Sequence, residues 1–562
     1  MIWAMAVLPL IVVLGMITGL RRPAHWAALT GVGVAVLLIV WRPEFTVTST
    51  GLGTGAGAAG LLVLNAAAVM LPGVYLSQVL GRRGVHDSLR DWVRALPLPG
   101  PAKIALVVAG IAPMVEALTG FGVSLLVTVP VLLALAPPAT ALRQAMLGMN
   151  IMPWGTLGLA TAIGASLTAL PVGTLGTATA LTSALVFPLV TAWAAVLARP
   201  RQRLRAVLVA ASAGATLSAG LLLWNRLGVV APAGVLAGLF TTAAGLALCA
   251  LWRSRSTSVR VIRSGADTAS GAPELDIDST RSAVGFDADS SGTAAAVSRS
   301  SAGSRSLAVR IAGEWRTHGG RVVNTVGRNV IGVAEHTRST GGLTPPGSVL
   351  RAYGLVLGGI AVLRLATAAG APTPAVHAGG ASFALLTSPG LPLLAAALLL
   401  DRGRVHRADA RAALTRVARP LFALSGFVVL GRLMADSGMI ARVGAAVADA
   451  PEPVVALAAP ALGMVSGFVT GSNVGGNVLM MPLQQQLAPE GLGTWFAALQ
   501  NCGAGHAVFT SLPMIMLILA VSGERAREAG ISEHTLLRFG LRVAAAIYAL
   551  LASAALLAVA FG

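Results

Sequence analysis

Apolar residues in this chain run on in long blocks instead of alternating with polar ones. Ile2–Leu20, Ala24–Trp41, Gly55–Leu80, Ala206–Trp224, Val229–Trp252, Ala352–Ala369 and Val543–Phe561 are such blocks. As helices, each is long enough to cross a hydrocarbon core about 30 Å thick. Between them lie further apolar stretches interrupted by Gly, Pro or Asn. Together they predict an all-α polytopic membrane protein with about a dozen membrane segments. Ile2–Leu20 is too long for the apolar core of a secretory signal and has no basic residues before it. It ends at Arg21-Arg22 without a small-residue cleavage site, so it reads as a retained helix.

The pattern changes once. From Arg253 to Pro346 the chain is rich in Ser, Gly, Arg and Asp and holds no spanning run. That composition buries too little apolar surface to offset the entropy of ordering. A largely disordered cytoplasmic linker is expected there, with Leu307–Val333 as a short amphipathic helix. It divides an N-terminal membrane repeat (1–252) from a C-terminal one (347–562).

The two halves carry matching signals. Thr119-Gly120 recurs as Thr470-Gly471, Asn150 recurs as Asn501 at the same offset, and Ala136-Pro137-Pro138 nearly recurs as Ala488-Pro489-Glu490. Three matches in register point to an internal repeat. Loop charge then sets orientation. Arg21-Arg22 and the run Arg82, Arg83, Arg90, Arg94, Lys103 mark two cytoplasmic loops. Their second-half equivalents, around Ala371–Pro374 and Asp436–Glu452, are nearly bare of positive charge. The basic stretch Asp401–Arg419, read as a loop, corresponds to Arg42–Thr54, which has one Arg. A bias that flips between halves predicts inverted-topology repeats around a midplane site.

Each half also holds a polar break in an apolar run. In the first, Glu116-Ala117-Leu118-Thr119-Gly120-Phe121-Gly122 separates two short apolar stretches. In the second, Thr470-Gly471-Ser472-Asn473 and Asn477 interrupt Ala461–Gln486. Each pattern predicts a re-entrant hairpin or broken helix, and irregular backbone at membrane depth persists only against protein or a water-filled cavity. Thr119, Gly120, Gly122, Thr470, Gly471, Ser472, Asn473 and Asn477 are therefore candidate substrate-binding residues, with the two tips lining one cavity. A helix N-terminus at such a break presents free N–H groups to an anion. Asn150-Ile151-Met152-Pro153-Trp154-Gly155-Thr156 and Asn501-Cys502-Gly503-Ala504-Gly505-His506 read as paired helix breaks, making Asn150 and Asn501 cavity linings or packing residues. Glu116 is the only carboxylate between Asp91 and Asp267. It is a candidate for proton or cation coupling, or a structural cap of the tip. His506 is a second candidate for proton coupling, or a neutral histidine bonded inside the bundle. Gln484, Gln485 and Gln486 read as the aqueous end of the second hairpin.

Composition narrows the class. The 562 residues are 55% hydrophobic and 11% charged, with a formal net charge of +19. The arginines lie between apolar runs, where the positive-inside effect places them, so nucleic acid is not an expected partner. Cys249 and Cys502 sit in apolar segments without ligand spacing, and no metal is expected. There is no G-x-x-x-x-G-K-[ST] phosphate loop and no nucleophile elbow, which argues against a nucleotide-driven pump or an enzyme.

At its two breaks the chain resembles the L-lactate permease family of bacterial carboxylate transporters. Glu116-Ala117-Leu118-Thr119-Gly120-Phe121-Gly122 is similar to that family's E-G-A-A-G-F-G, followed at the family's spacing by Asn150 and Pro153. Phe468-Val469-Thr470-Gly471-Ser472-Asn473 through Asn477-Val478-Leu479-Met480 resembles its F-L-T-G-S-D-x-x-S-N-A-L-F, with Leu483-Gln484 after it. Asp436-Ser437-Gly438-Met439 is similar to its N-Y-S-G. The family's intramembrane Asp is Asn473 here, the family's second-half Lys falls on Phe509, and His506 is new. The resemblance implies a multi-pass protein of the plasma (inner) membrane that takes up lactate, or a similar small carboxylate such as glycolate, with a proton and no other cofactor. Glu116 is then the main coupling residue. The partners implied are a small organic anion and the bilayer, and a homo-oligomer is left open. Two other readings stand beside it: an exporter or permease for another small anion, and a membrane-embedded enzyme acting on a lipid-linked substrate.

Overall fold

The computed structural model describes residues 2–120, 122–198, 202–267, 343–379, 381–447 and 450–561. Most of Arg253–Pro346, including Leu307–Val333, lies outside these residues. Met1–Leu251 and Thr340–Gly562 form one compact unit. Among the described residues, ten helices are long and apolar enough to cross a membrane, or twelve if two bent helix pairs each count as one span. The chain is an all-α polytopic membrane protein.

The first half opens with α1 (Ile2–Leu14), extended by a π turn to Gly19, and α2 (Ala24–Trp41). Next comes α3 (Ser49–Arg82), started by Thr48, whose hydroxyl accepts from the Gly51 amide at 3.1 Å. α4 (Val85–Ala95) is too short and too charged to span. It buries Val85, Leu89, Trp92 and Val93 along one stripe, as a helix lying on a surface does. α5 (Gly100–Thr119) carries a π turn at Val107–Ile111, and after a break α6 (Val123–Leu133) returns. α7 (Pro138–Leu147) leads through a 3-10 turn at Met152–Trp154 into α8 (Gly155–Thr168). α9 (Val172–Thr182) follows, with the chain bent by 118° between it and the segment before. α10 (Val186–Leu197), α11 (Arg203–Arg226) and α12 (Ala233–Asp267) complete the half.

The second half begins with α13 (Gly347–Ala368). A two-stranded hairpin, β1 (Val376–Ala378) and β2 (Ala381–Phe383), pairs Val376 with Phe383. α14 (Gly390–Leu400), α15 (Arg407–Asp436) and α16 (Met439–Val447) lead to the second hairpin, α17 (Glu452–Thr470) and α18 (Asn473–Leu487). α19 (Gly493–Ala507), α20 (Leu512–Ser522), α21 (Glu524–Glu528) and α22 (Glu533–Phe561) end the chain.

Three expectations are corrected. Asp401–Arg419 is not a loop: α15 starts at Arg407, so Arg411, Arg416 and Arg419 ride on a membrane-spanning helix. Its 30 residues exceed what the hydrocarbon needs, and its charged first turns extend beyond it. Asn501 is not at a break but inside α19; that chain bends later, at Val508–Ser511. Gln484 does not face water. It is fully buried and donates to the Ala459 carbonyl at 2.7 Å and the Gln500 side chain at 3.2 Å. Gln485 bonds the Gly493 carbonyl, and Gln486 is exposed.

The halves interlock. α3 packs along α15, α8 against α18, and α9 against α19. Small residues permit the closest approaches: Gly390 of α14 lies directly on the Ala68 carbonyl of α3, where any Cβ would overlap it. At one end of the α3–α15 pair, Arg82 bonds Asp401 and Asp409 (2.7 Å to the latter), and Arg83 bonds Asp401 at 2.9 Å. The basic segments at Arg82–Arg83 and Asp401–Asp409 therefore share one face.

Candidate functional site: two broken helices and an asparagine clamp

The second tip is built to leave amides free. α17 ends at Thr470, and Gly471 turns the chain with φ +63°, a conformation that favours a residue without Cβ. Ser472 is extended and caps α18, accepting from the Gly475 amide at 3.3 Å. The Thr470 hydroxyl donates at 2.8 Å to the Ser466 or Ser472 carbonyl and accepts from the Ser472 amide at 3.3 Å. The amides of Asn473 and Val474 come first in α18, with no helical carbonyl a turn earlier to bond.

Asn501 holds this tip to the first half. The Thr161 hydroxyl donates to the Pro153 carbonyl and the Thr179 hydroxyl to the Leu175 carbonyl, each at 2.7 Å. With their protons committed, both oxygens accept from Asn501 Nδ2, at 2.9 and 3.1 Å. That fixes the amide's orientation. Asn501 Oδ1 then receives Asn473 Nδ2 at 3.1 Å and Asn477 Nδ2 at 2.8 Å; the latter also reaches the Ala160 carbonyl at 3.1 Å. Asn473 Oδ1 and Asn477 Oδ1 are buried and have no protein partner among the described residues.

Beside this tip the chain does something the sequence does not announce. Thr156, Leu157 and Gly158 have φ of 52°, 55° and 70°, a run of left-handed backbone at the start of α8. Two of the three carry a Cβ, and each such residue costs about 1–3 kcal/mol. The strain sits on a small cavity of about 30 Å³, room for a water or two. Gly155, Thr156, Gly471, Ser472, Asn473 and Met514 are among its lining residues.

The first tip stands behind that cavity. Thr119 ends α5 and its hydroxyl donates to the Val115 carbonyl at 2.7 Å. Gly120 and Gly122 both have positive φ. Gly120 packs against Thr156 and Gly122 against Met514, so this tip touches the cavity wall without itself lining the cavity among the described residues. Glu116 is fully buried and caps α6. It accepts from the amides of Gly122 (3.0 Å) and Ser124 (3.3 Å) and from the Ser124 hydroxyl (2.6 Å). The Ser124 hydroxyl also lies 3.3 Å from Met149 Sδ.

The remaining candidates lie to either side. Asn150, in the turn after α7, donates to the Leu147 carbonyl at 3.0 Å and leaves its own Oδ1 unpaired among the described residues. His506 is fully buried away from the cavity, with Nε2 2.9 Å from the Ser183 hydroxyl and its ring edge-on to Phe187. Ser183 continues to Cys502 Sγ at 3.0 Å, which meets the Thr182 hydroxyl at 2.8 Å. Thr156, Thr161, Thr179 and Ser124 are absent from the candidates read off the sequence. Single hydroxyls in apolar runs give no warning, because most simply bond the carbonyl four residues back.

A bundle of apolar spans that encloses two broken helices with a small cavity beside one of them is the build of a membrane transporter. The chain matches the L-lactate permease model over residues 3–274 and 360–561, and it belongs to that family. The curated proteins yield no match.

Proposed function

We propose that the protein is a proton-coupled secondary transporter that takes up lactate, or a similar small carboxylate such as glycolate, across the plasma (inner) membrane. The observation that carries this reading is the α18 N-terminus, where the first two amides have no helical carbonyl to bond and Asn473 Oδ1 at the cavity has no partner among the described residues. A carboxylate bonds to the amides of Asn473 and Val474 and gains from the helix dipole. A hydroxyl on the neighbouring carbon donates to Asn473 Oδ1, and the Thr156 side chain completes the ring of polar contacts. The cavity is smaller than such a substrate, so binding parts the second tip from the left-handed turn, and release of its strain favours that opening.

Glu116 takes the coupled proton in this reading. Its surroundings suit both forms. Ionised, it accepts three hydrogen bonds. Protonated, it donates to Ser124 Oγ, whose own proton turns to Met149 Sδ. His506, further from the cavity, is the reserve proton carrier.

The test is uptake into proteoliposomes. An inward proton gradient should drive accumulation of labelled L-lactate or glycolate, and Glu116→Gln should keep substrate exchange while losing accumulation. Accumulation by the variant with normal pH dependence would make Glu116 structural. No carboxylate flux in the wild type would end the transport reading.

A further inference from the structure

Arg416 is a guanidinium on a membrane-spanning helix with no bonded partner among the described residues. It lies seven residues beyond Asp409 on α15, about 10 Å deeper along the axis at the usual rise per residue. Seven residues are close to two turns, so both side chains leave the same face of the helix. Ala413, Val417 and Ala423 are buried around that face. α3 runs antiparallel beside it, and Gly73, nine residues back from Arg82, is so near the Thr119 carbonyl that a Cβ would stand 3.3 Å from it. Arg416 is therefore level with the first tip.

Its side chain is half-buried, and Glu116 interacts with it through space alone. That carboxylate is already engaged by Gly122 and Ser124. Arg411 and Arg419 leave α15 on other sides and are exposed. Arg416, on the face toward Asp409, does not share their setting. No charged residue lines the cavity at the second tip among the described residues, and Phe509, where the resembling family has Lys, is fully buried.

We propose that Arg416 is a second carboxylate-binding station, between the central cavity and the face marked by Arg82 and Asp409. This rests on the carboxylate-transport reading. An anion leaving the neutral end of α18 toward that face meets the Arg416 guanidinium, able to take both carboxylate oxygens. Ionised Glu116 competes for the same positive charge, and protonated Glu116 releases it, so proton and anion reach this station together.

Initial rates are measured in proteoliposomes of defined orientation, with L-lactate supplied to one face at a time. Arg416→Gln should raise KM about tenfold or more, a loss of roughly one good interaction, for substrate at the Arg82 face. KM at the opposite face should not change. Arg416→Lys, which keeps the charge and loses the fork, should raise KM about threefold at that face alone. This second variant decides the matter if Arg416→Gln does not reach the membrane. An unchanged KM at both faces, or an equal rise at both, overturns the station while leaving carboxylate transport intact. A wild type that moves no small carboxylate overturns the transport reading and the station with it.

Discussion

Among single residues, Asn501 has the most to lose. Its amide satisfies two hydroxyl oxygens and two other amides across three helices, all in buried surroundings. Asn501→Ala should lower unfolding free energy by about 2–4 kcal/mol, since several buried polar groups lose partners at once. Chemical denaturation in detergent measures this, and a change below about 1 kcal/mol would mean water replaces the clamp. Thr156→Gly has the opposite sign for stability. It removes a β-branched side chain from left-handed backbone and should stabilise by about 1 kcal/mol, while the lost hydroxyl weakens substrate binding. A thermal melt alongside a KM measurement separates the two effects. Sequence pattern singles out Asn473, Asn477 and Asn501 because amides are conspicuous in apolar runs. It does not reveal that one asparagine orders the other two, since its own partners are threonines more than three hundred residues away.

Whole elements are legible to different degrees. The long spans and both tip breaks follow from hydrophobic length and from Gly, Ser and Asn at the interruptions. α15 does not, because arginines in its first turns resemble loop charge; a helix of 30 residues, roughly 45 Å long, has ends outside the hydrocarbon where such charge is tolerated. The left-handed turn at Thr156–Gly158 is invisible for another reason. Thr and Leu disfavour that conformation locally, and only surrounding packing imposes it. The surface helix α4 offers a test of its own. Burial holds His86 below the usual histidine range of about 6.5, with Asp87 opposing in part. The folded protein thus keeps it neutral where the unfolded chain already binds a proton. Above pH 6.5 the residue makes no pH-dependent difference; as pH falls below that value, stability declines toward the folded-state pKa. His86→Phe should flatten the dependence of Tm on pH below about 6.5, and an unchanged slope would assign acid sensitivity to other groups.

At the scale of the molecule, the hydrogen bonds of the clamp and the ion pairs of Arg82 and Arg83 join one half to the other. Buried polar groups of each half find partners in the other. Fragments cut between residues 267 and 343 should each be degraded when made alone, and should recover transport when made together. Stable accumulation of either fragment by itself would show that the halves fold independently. The second tip has a further consequence, electrical in kind. From Thr470 to Asn477 it carries no ionisable side chain, because an asparagine stands at position 473. A unit charge moved through the membrane field does work of about 2.3 kcal/mol per 100 mV, and an uncharged tip moving through the same field does none. Membrane voltage then acts only on what the protein carries. A substrate anion that crosses with one proton should generate no current in a planar bilayer at any holding potential, and a steady current would count the extra ions moved in each cycle.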